Sequence, residues 1–290
     1  MKEERINMRL ILASFLVVTF FVAPLSAQDL TGTLQQIQKS GKIKLGYRAS
    51  VPPLSFLNKD GTPVGYSVDL CKEIATAVKQ KIGSDVSVEY VPVTSADRFD
   101  ALTENRIDIL CGATTKTISR GEKVDFTQLT FVTGGSFMSL KKTKIMNNFE
   151  GKKIGVSKGT TTAENLKKLL EEAQTKAEIV LMNSSAEALE ALNKEEIDAI
   201  AADQVVLIGL ALTSGNPGNY SILPDLFSYE PFALAVRRND ADFRLVADRV
   251  IADLYRTRRI LKIYDRWFGV FAQQRSSAYD ALIQLSAIPE

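Results

Sequence analysis

The sequence predicts an α/β fold of two similar lobes, each a doubly wound, mostly parallel sheet, with two crossing strands as the hinge between them. Three observations carry this. Strand-like and helix-like segments alternate along the chain, which builds βαβ units and therefore parallel sheets. Residues 95–110 (SADRFDALTENRIDIL) return as residues 185–200 (SAEALEALNKEEIDAI) at a fixed offset of 90, with six of 16 positions identical. Residues 41–46 (GKIKLG) are answered by residues 151–156 (GKKIGV) at an offset of 110, so one half carries about 20 extra residues.

The elements follow in order. Residues 43–48 alternate as a strand, and 68–82 place Leu70, Ile74, Ala75 and Val78 on one helical face. Residues 86–91 alternate again. Residues 95–103 read as a short helix, with Thr94 and Asp97 in capping-box spacing, and 107–111 as a short apolar strand. The second half gives strands at 153–157, 178–182 and 198–202, with helices at 162–173 and 186–192. A strand-like stretch at 228–236 leads into helices near 240–255 and 258–267, which have no counterpart in the repeat. These last helices are expected to return to the first lobe, leaving 131–140 and 228–236 as the crossing strands. Tyr264 and Trp267 then pack within that lobe.

Composition narrows the chemistry. With 45% hydrophobic and 24% charged residues the chain is ordinary globular protein, and a net charge of +2 makes no electrostatic case for nucleic acid. The absence of histidine removes Ser-His-Asp and Cys-His catalysis and His-ligated metals. Two cysteines cannot hold a Cys-only zinc or iron–sulfur site, so no metal and no cofactor are expected. At the N-terminus, Lys2, Arg5 and Arg9 precede an uncharged run over 10–23, Pro24 breaks it, and Ala27 offers a cleavage point. That is the layout of a secretory signal peptide over 1–27, too short in its apolar part to span a bilayer. The first cysteine after it is Cys71, which argues against a lipid anchor.

In open parallel sheets ligands bind beyond the carboxyl ends of the strands. That rule selects the loops 48–56, 94–98, 112–120 and 159–161, together with Asp203. They hold three arginines, several hydroxyls and one isolated carboxylate. Arginine grips a carboxylate bidentately, and a lone acid in the same cleft accepts an ammonium group, which together describe an α-amino acid site. The bland readings stand beside this one. Asp203 could cap a helix starting near Gln204, Thr161 or Ser95 could serve only as caps, and Arg98 could pair with Asp97 or Asp100 on the surface. Cys71, early in a helix, and Cys111, at a strand end, fall at the same edge of a βαβ lobe. Export favours a disulfide between them, and two separate buried thiols are the alternative.

The segments GYRASVPPLSFLNKDGTPVGYSVDLCKEIA, VPVTSADR, DILCGATTKTISRGEKVDF, KGTTTAENL, IDAIAAD and YDRWFG resemble the periplasmic solute-binding proteins of polar amino-acid ABC transporters, nearest the glutamate/aspartate-binding branch. The resemblance implies the type II periplasmic-binding-protein fold: lobe one over 28–135 and 229–290, lobe two over 136–228. It also implies a monomer in the periplasm, with a membrane permease and ATPase as partners and a free amino acid as ligand. Position by position, Arg120 resembles the clamp on the ligand α-carboxylate, supported by Thr115 and by Thr161. Asp203 matches the acceptor of the α-ammonium, and Arg48, Ser95 and Arg98 match the residues facing a side-chain carboxylate. Phe56, Ala113, Thr114, Thr160 and Ser185 are further candidates. Ala113 stands where that branch has serine, and Ser185 where it has a side-chain-contacting histidine, which leaves glutamate, aspartate or another polar amino acid open. Two other readings share the fold: an exported cyclohexadienyl- or prephenate-type dehydratase, and the ligand-binding component of a sensory system.

Overall fold

The computed structural model describes residues 30–143, 145, 148–269 and 275–290. The expected signal segment and its cleavage point lie outside the described residues. The chain runs α1 (Gly32–Ser40), β1 (Lys42–Tyr47), β2 (Ser50–Val51), β3 (Ser55–Leu57), β4 (Pro63–Val64), α2 (Tyr66–Ile82), β5 (Ser87–Pro92), α3 (Arg98–Thr103), β6 (Ile109–Cys111) and β7 (Val124–Thr133). It crosses at Gly134 into β8 (Gly135–Leu140), β9 (Lys153–Ser157), α4 (Thr161–Glu172), β10 (Glu178–Met182), α5 (Ser185–Asn193), β11 (Ala199–Asp203), α6 (Gln204–Thr213) and β12 (Tyr220–Ile222). It returns in β13 (Glu230–Arg237) and ends in α7 (Ala241–Arg256), α8 (Arg259–Phe268) and α9 (Ser277–Leu285).

Two five-stranded sheets result, ordered β5-β1-β6-β13-β7 and β10-β9-β11-β8-β12. In each, the first three strands are parallel and the fourth is reversed. The reversed strands are the two by which the chain enters from the other lobe, β13 in the first sheet and β8 in the second. A strand arriving from the other lobe enters at the carboxyl ends of the parallel strands and must run backwards through its new sheet. The last helices do pack on the first lobe, α7 against β7 and α2, and α8 against α2. Trp267 donates its indole N–H to Asp69 at 2.8 Å, and Tyr264 stacks on Phe268.

The internal repeat has a physical content. Ile107 and Ile197, at the offset of 90, each fill the space above a glycine of the neighbouring strand, Gly46 in β1 and Gly155 in β9. A side chain at either glycine would overlap the isoleucine. The next residue, Asp108 or Asp198, accepts the backbone N–H of that same strand, from Lys44 at 2.8 Å and from Lys153 at 2.9 Å. The turn before each pair uses a left-handed residue, Asn105 (φ 58°) and Glu195 (φ 60°). The repeated Ile-Asp dipeptide is therefore a lock between helix end and central strand, built twice.

Cys71 on α2 and Cys111 at the end of β6 are joined as a disulfide within the first lobe. The short helix expected over 95–103 begins only at Arg98, because the Thr94–Asp97 pair caps a turn first. Thr94 N–H donates to Asp97 at 2.7 Å and Asp97 N–H to Thr94 Oγ1 at 3.1 Å.

Candidate functional site

The loops after β1, β6, β9, β10 and β11 converge on one cavity between the lobes, lined by Arg48, Val51 and Ala113 from one side and Ser157, Thr160, Thr162, Ser185 and Asp203 from the other. Its volume is about 30 Å³. The lobes meet directly beside it, through Arg98 and Gly159 and through Thr115 and Thr161. The loop after β5 joins through Arg98, whose Nη2 donates across the junction to the Gly159 carbonyl at 3.2 Å.

Each bland alternative can now be judged against the structure. Asp203 occupies the N-cap position of α6, yet its side chain accepts no capping hydrogen bond. Its Oδ1 is buried and unpartnered. Ser95 Oγ is likewise buried and unpartnered, the capping having gone to Thr94 and Asp97. Arg98 is 2% exposed and pairs with neither acid expected of it. Asp97 meets Arg106 instead, and Asp100 meets Lys123. Arg98 Nε and Nη1 have no partner, and its guanidinium lies 4.8 Å from the centre of the Phe99 ring. Thr114 Oγ1 is also buried and unpartnered. Among the described residues six buried side-chain atoms lack a partner, and all but Gln128 Oε1 belong to residues singled out from the sequence. Native proteins pair nearly all such atoms, so a cluster left unpaired by the protein marks groups that water or a ligand must satisfy.

The charges fit that conclusion. Burial pulls the Arg48 guanidinium down to about 10, with Asp203 and Asp97 acting the other way. Burial and then its neighbours Arg48 and Arg120 hold Arg98 well below the usual arginine range. Arg120 is also lowered by burial, against Glu164, Glu230 and Asp203. It donates from Nη1 to the Thr115 carbonyl at 2.9 Å and faces Phe99. Burial and then Glu230 push the Asp203 carboxyl up to about 7, and Arg98 and Arg120 oppose that. Three guanidinium groups and one acid thus sit within electrostatic reach of one another, drawn from both lobes.

Glu230 is the residue that sequence reasoning missed. It opens β13, is fully buried, and accepts from Thr115 Oγ1 at 2.6 Å, Thr161 Oγ1 at 2.6 Å, Ser228 Oγ at 2.7 Å and Asn165 Nδ2 at 3.3 Å. The available signal was a lone carboxylate at the head of the apolar run PFALAV in a strand expected to be covered. Thr161 is not the cap of α4, since Thr160 accepts from Ala163 N–H in that role. Ser185 is buried, begins α5 and lines the cavity, while its neighbour Ser184 does the capping. Phe56 is not brought to the inner cavity. It packs edge-on to Trp267 at 5.8 Å and lines an outer groove.

A family model described as bacterial extracellular solute-binding proteins, family 3, matches residues 43–270. The chain belongs to this family. The L-glutamate/L-aspartate-binding protein of Pseudomonas aeruginosa is 32% identical to this solute-binding protein over 262 residues, 89% of the chain and 87% of the relative. The glutamate/aspartate import solute-binding protein of Escherichia coli K12 is 30% identical over 239 residues, covering 81% and 79%. Among solved structures, an ancestral amino acid-binding protein described as a precursor of cyclohexadienyl dehydratase superposes with a TM-score of 0.69 at 26% identity, over 82% of this chain and all of that one.

Proposed function

We propose that this solute-binding protein captures an acidic amino acid, glutamate or aspartate, by closing its lobes on it, and delivers it to the permease and ATPase of an ABC importer. It does so as a monomer in the periplasm, exported behind a signal peptide over 1–27 cleaved near Ala27. Lobe one, 28–135 with 229–290, moves against lobe two, 136–228, about the crossings beside Gly134 and Glu230. The observation that carries this reading is the set of buried, unpartnered polar atoms on Ser95, Arg98, Thr114 and Asp203, with Arg98 within electrostatic reach of Asp203.

In this reading Asp203 takes the ligand ammonium. Arg120, with Thr115 and Thr161, takes the α-carboxylate, and Arg48, Ser95 and Arg98 take the distal carboxylate, with Thr114, Thr160, Ala113 and Ser185 shaping the wall. Net charge favours an acidic ligand over a neutral one. Arg48, Arg98 and Arg120 against Asp203 and Glu230 leave one positive charge when all are ionised, which a ligand with two carboxylates and one ammonium neutralises. Contacts from both lobes exist only in the closed form, so ligand shifts the population toward it by its differential affinity. The names borne by the two relatives support the same ligand class.

Calorimetric titration of wild type and Arg98→Ala with glutamate and with glutamine tests this. Charge-assisted hydrogen bonds contribute roughly 1.5–3 kcal/mol each, so Arg98→Ala should weaken glutamate on the order of a hundredfold and glutamine far less. Equal losses for the two ligands would remove Arg98 from the distal carboxylate. Failure of glutamate and aspartate to bind wild type would remove the ligand class.

A further inference from the structure

We propose that Glu230 is a clasp between the lobes: its buried carboxylate ties the Thr115 hydroxyl of one lobe to the Thr161 hydroxyl and Asn165 amide of the other, and so keeps the closed conformation populated without ligand. The assignment rests on four hydrogen bonds to one carboxylate that has no exposure to solvent. Thr115 lies in the loop after β6, while Thr161 and Asn165 form the first turn of α4. The two hydroxyls also stand 3.2 Å apart, so they meet directly across the junction and share the Oε2 atom as acceptor. Ser228 and Glu230 lie at the crossing itself, and Ser228 Oγ also accepts the Gly135 N–H of the other crossing strand at 3.0 Å. The carboxylate is thus fixed where the lobes move least and holds one group from each.

Opening the lobes leaves Glu230 with Thr115 and Ser228 and withdraws Thr161 and Asn165, which water must then replace. A hydroxyl has one proton to give. While Thr115 and Thr161 give theirs to Glu230, their oxygens have only lone pairs left for any other partner. A ligand carboxylate that needs those donors must take them from Glu230, so the clasp also sets the order of events. Ligand enters the open form, and on closing each threonine proton goes either to Glu230 or to the ligand carboxylate. Losing one charge-assisted hydrogen bond of the closed form lowers the closed-to-open ratio by about tenfold.

The test uses ligand-free protein and so stands apart from ligand identity, although the clasp is part of the closing motion proposed above. The native cysteines are paired, so thiols placed at Lys59 and Lys194, exposed residues on the two walls of the outer groove, take spin labels selectively. Pulsed dipolar distances should show a populated short separation beside the longer one in the otherwise native chain without ligand. Glu230→Gln, which keeps the shape but replaces one acceptor oxygen by an amide donor, and Thr161→Val, which removes one hydroxyl, should each move most of the population to longer separation. Both should keep a native circular-dichroism spectrum. Should Glu230→Gln fail to fold, Thr161→Val decides alone. A native chain that is open without ligand, or a folded variant with the native distance distribution, overturns the proposal. Loss of glutamate binding with the distances behaving as expected would instead count against the ligand assignment.

Discussion

Ligand capture should expel a proton from Asp203. In the ligand-free protein burial and Glu230 hold that carboxyl near 7, so at pH 7 about half the molecules carry a proton there. An ammonium within hydrogen-bond reach lowers a carboxyl pKa by roughly 1–3 and ionises Asp203 in the complex. The release is then about 0.5 proton per ligand at pH 7, about 0.8 at pH 6 and about 0.1 at pH 8. The chain has no histidine, and neither glutamate nor aspartate titrates in that interval, so the signal is not masked. Titration calorimetry in buffers of different ionisation enthalpy reads the release directly, and affinity should fall by about fivefold on going down from pH 7 to 6. Heats that do not depend on buffer at pH 6 and 7, with a constant dissociation constant, refute the pairing of Asp203 with the ammonium.

The same group makes a signed statement about stability. Its folded pKa of about 7 lies above the 3.8 of the free side chain. The stability it contributes is therefore fully present below 3.8 and is lost as pH rises through 7. Between pH 5 and 7 the ligand-free protein should lose about 2 kcal/mol from this site. Ligand should restore it, so thermal stabilisation by glutamate grows toward alkaline pH.

Two further outcomes follow from the geometry. Gly209 lies inside α6 and faces Pro52 so closely that a Cβ would overlap the Pro52 carbonyl. Gly209→Ala should stabilise the helix by roughly 0.5–1 kcal/mol yet obstruct closure, giving an unchanged or higher midpoint of unfolding without ligand and at least a tenfold loss of affinity. Native affinity would show that this contact is not part of the binding-competent form. The Cys71–Cys111 bridge closes a separation of 40 residues, worth about 4 kcal/mol by loop entropy. Replacing both by alanine should lower stability by that order in urea unfolding, and a loss below about 1 kcal/mol would leave the bridge without a stabilising role.

Much of the fold was legible because its signals are local. β9 and β10 fall on the residues where alternation places them, and the repeat exposed the two lobes through residues that perform the same task twice. The elements that escaped have physical reasons. Only the start of α6, near Gln204, was legible: six of its ten residues are buried and all between its two ends are apolar, so it carries no polar face and no helical period to read. Strands β2 to β4 run only two or three residues each, too short for alternation to register. The reversed direction of β8 and β13 has no local signal at all, because it follows from which sheet a strand enters.

The site was legible to the extent that its residues violate local rules. Arg98, Ser95, Thr114 and Asp203 are polar groups set where strands end and left unsatisfied by their own lobes, and the loop rule for parallel sheets finds such positions from the pattern alone. Glu230 escaped for the opposite reason. All of its needs are met, by Thr115, Thr161, Asn165 and Ser228, and those partners lie between 2 and 115 positions away in sequence. A buried charge satisfied entirely by tertiary contacts looks, in sequence, like any strand-end glutamate. Its importance shows only when the partners prove to come from both lobes. On the proposed reading, the unsatisfied groups mark where ligand is held, and the satisfied one marks how the lobes hold together.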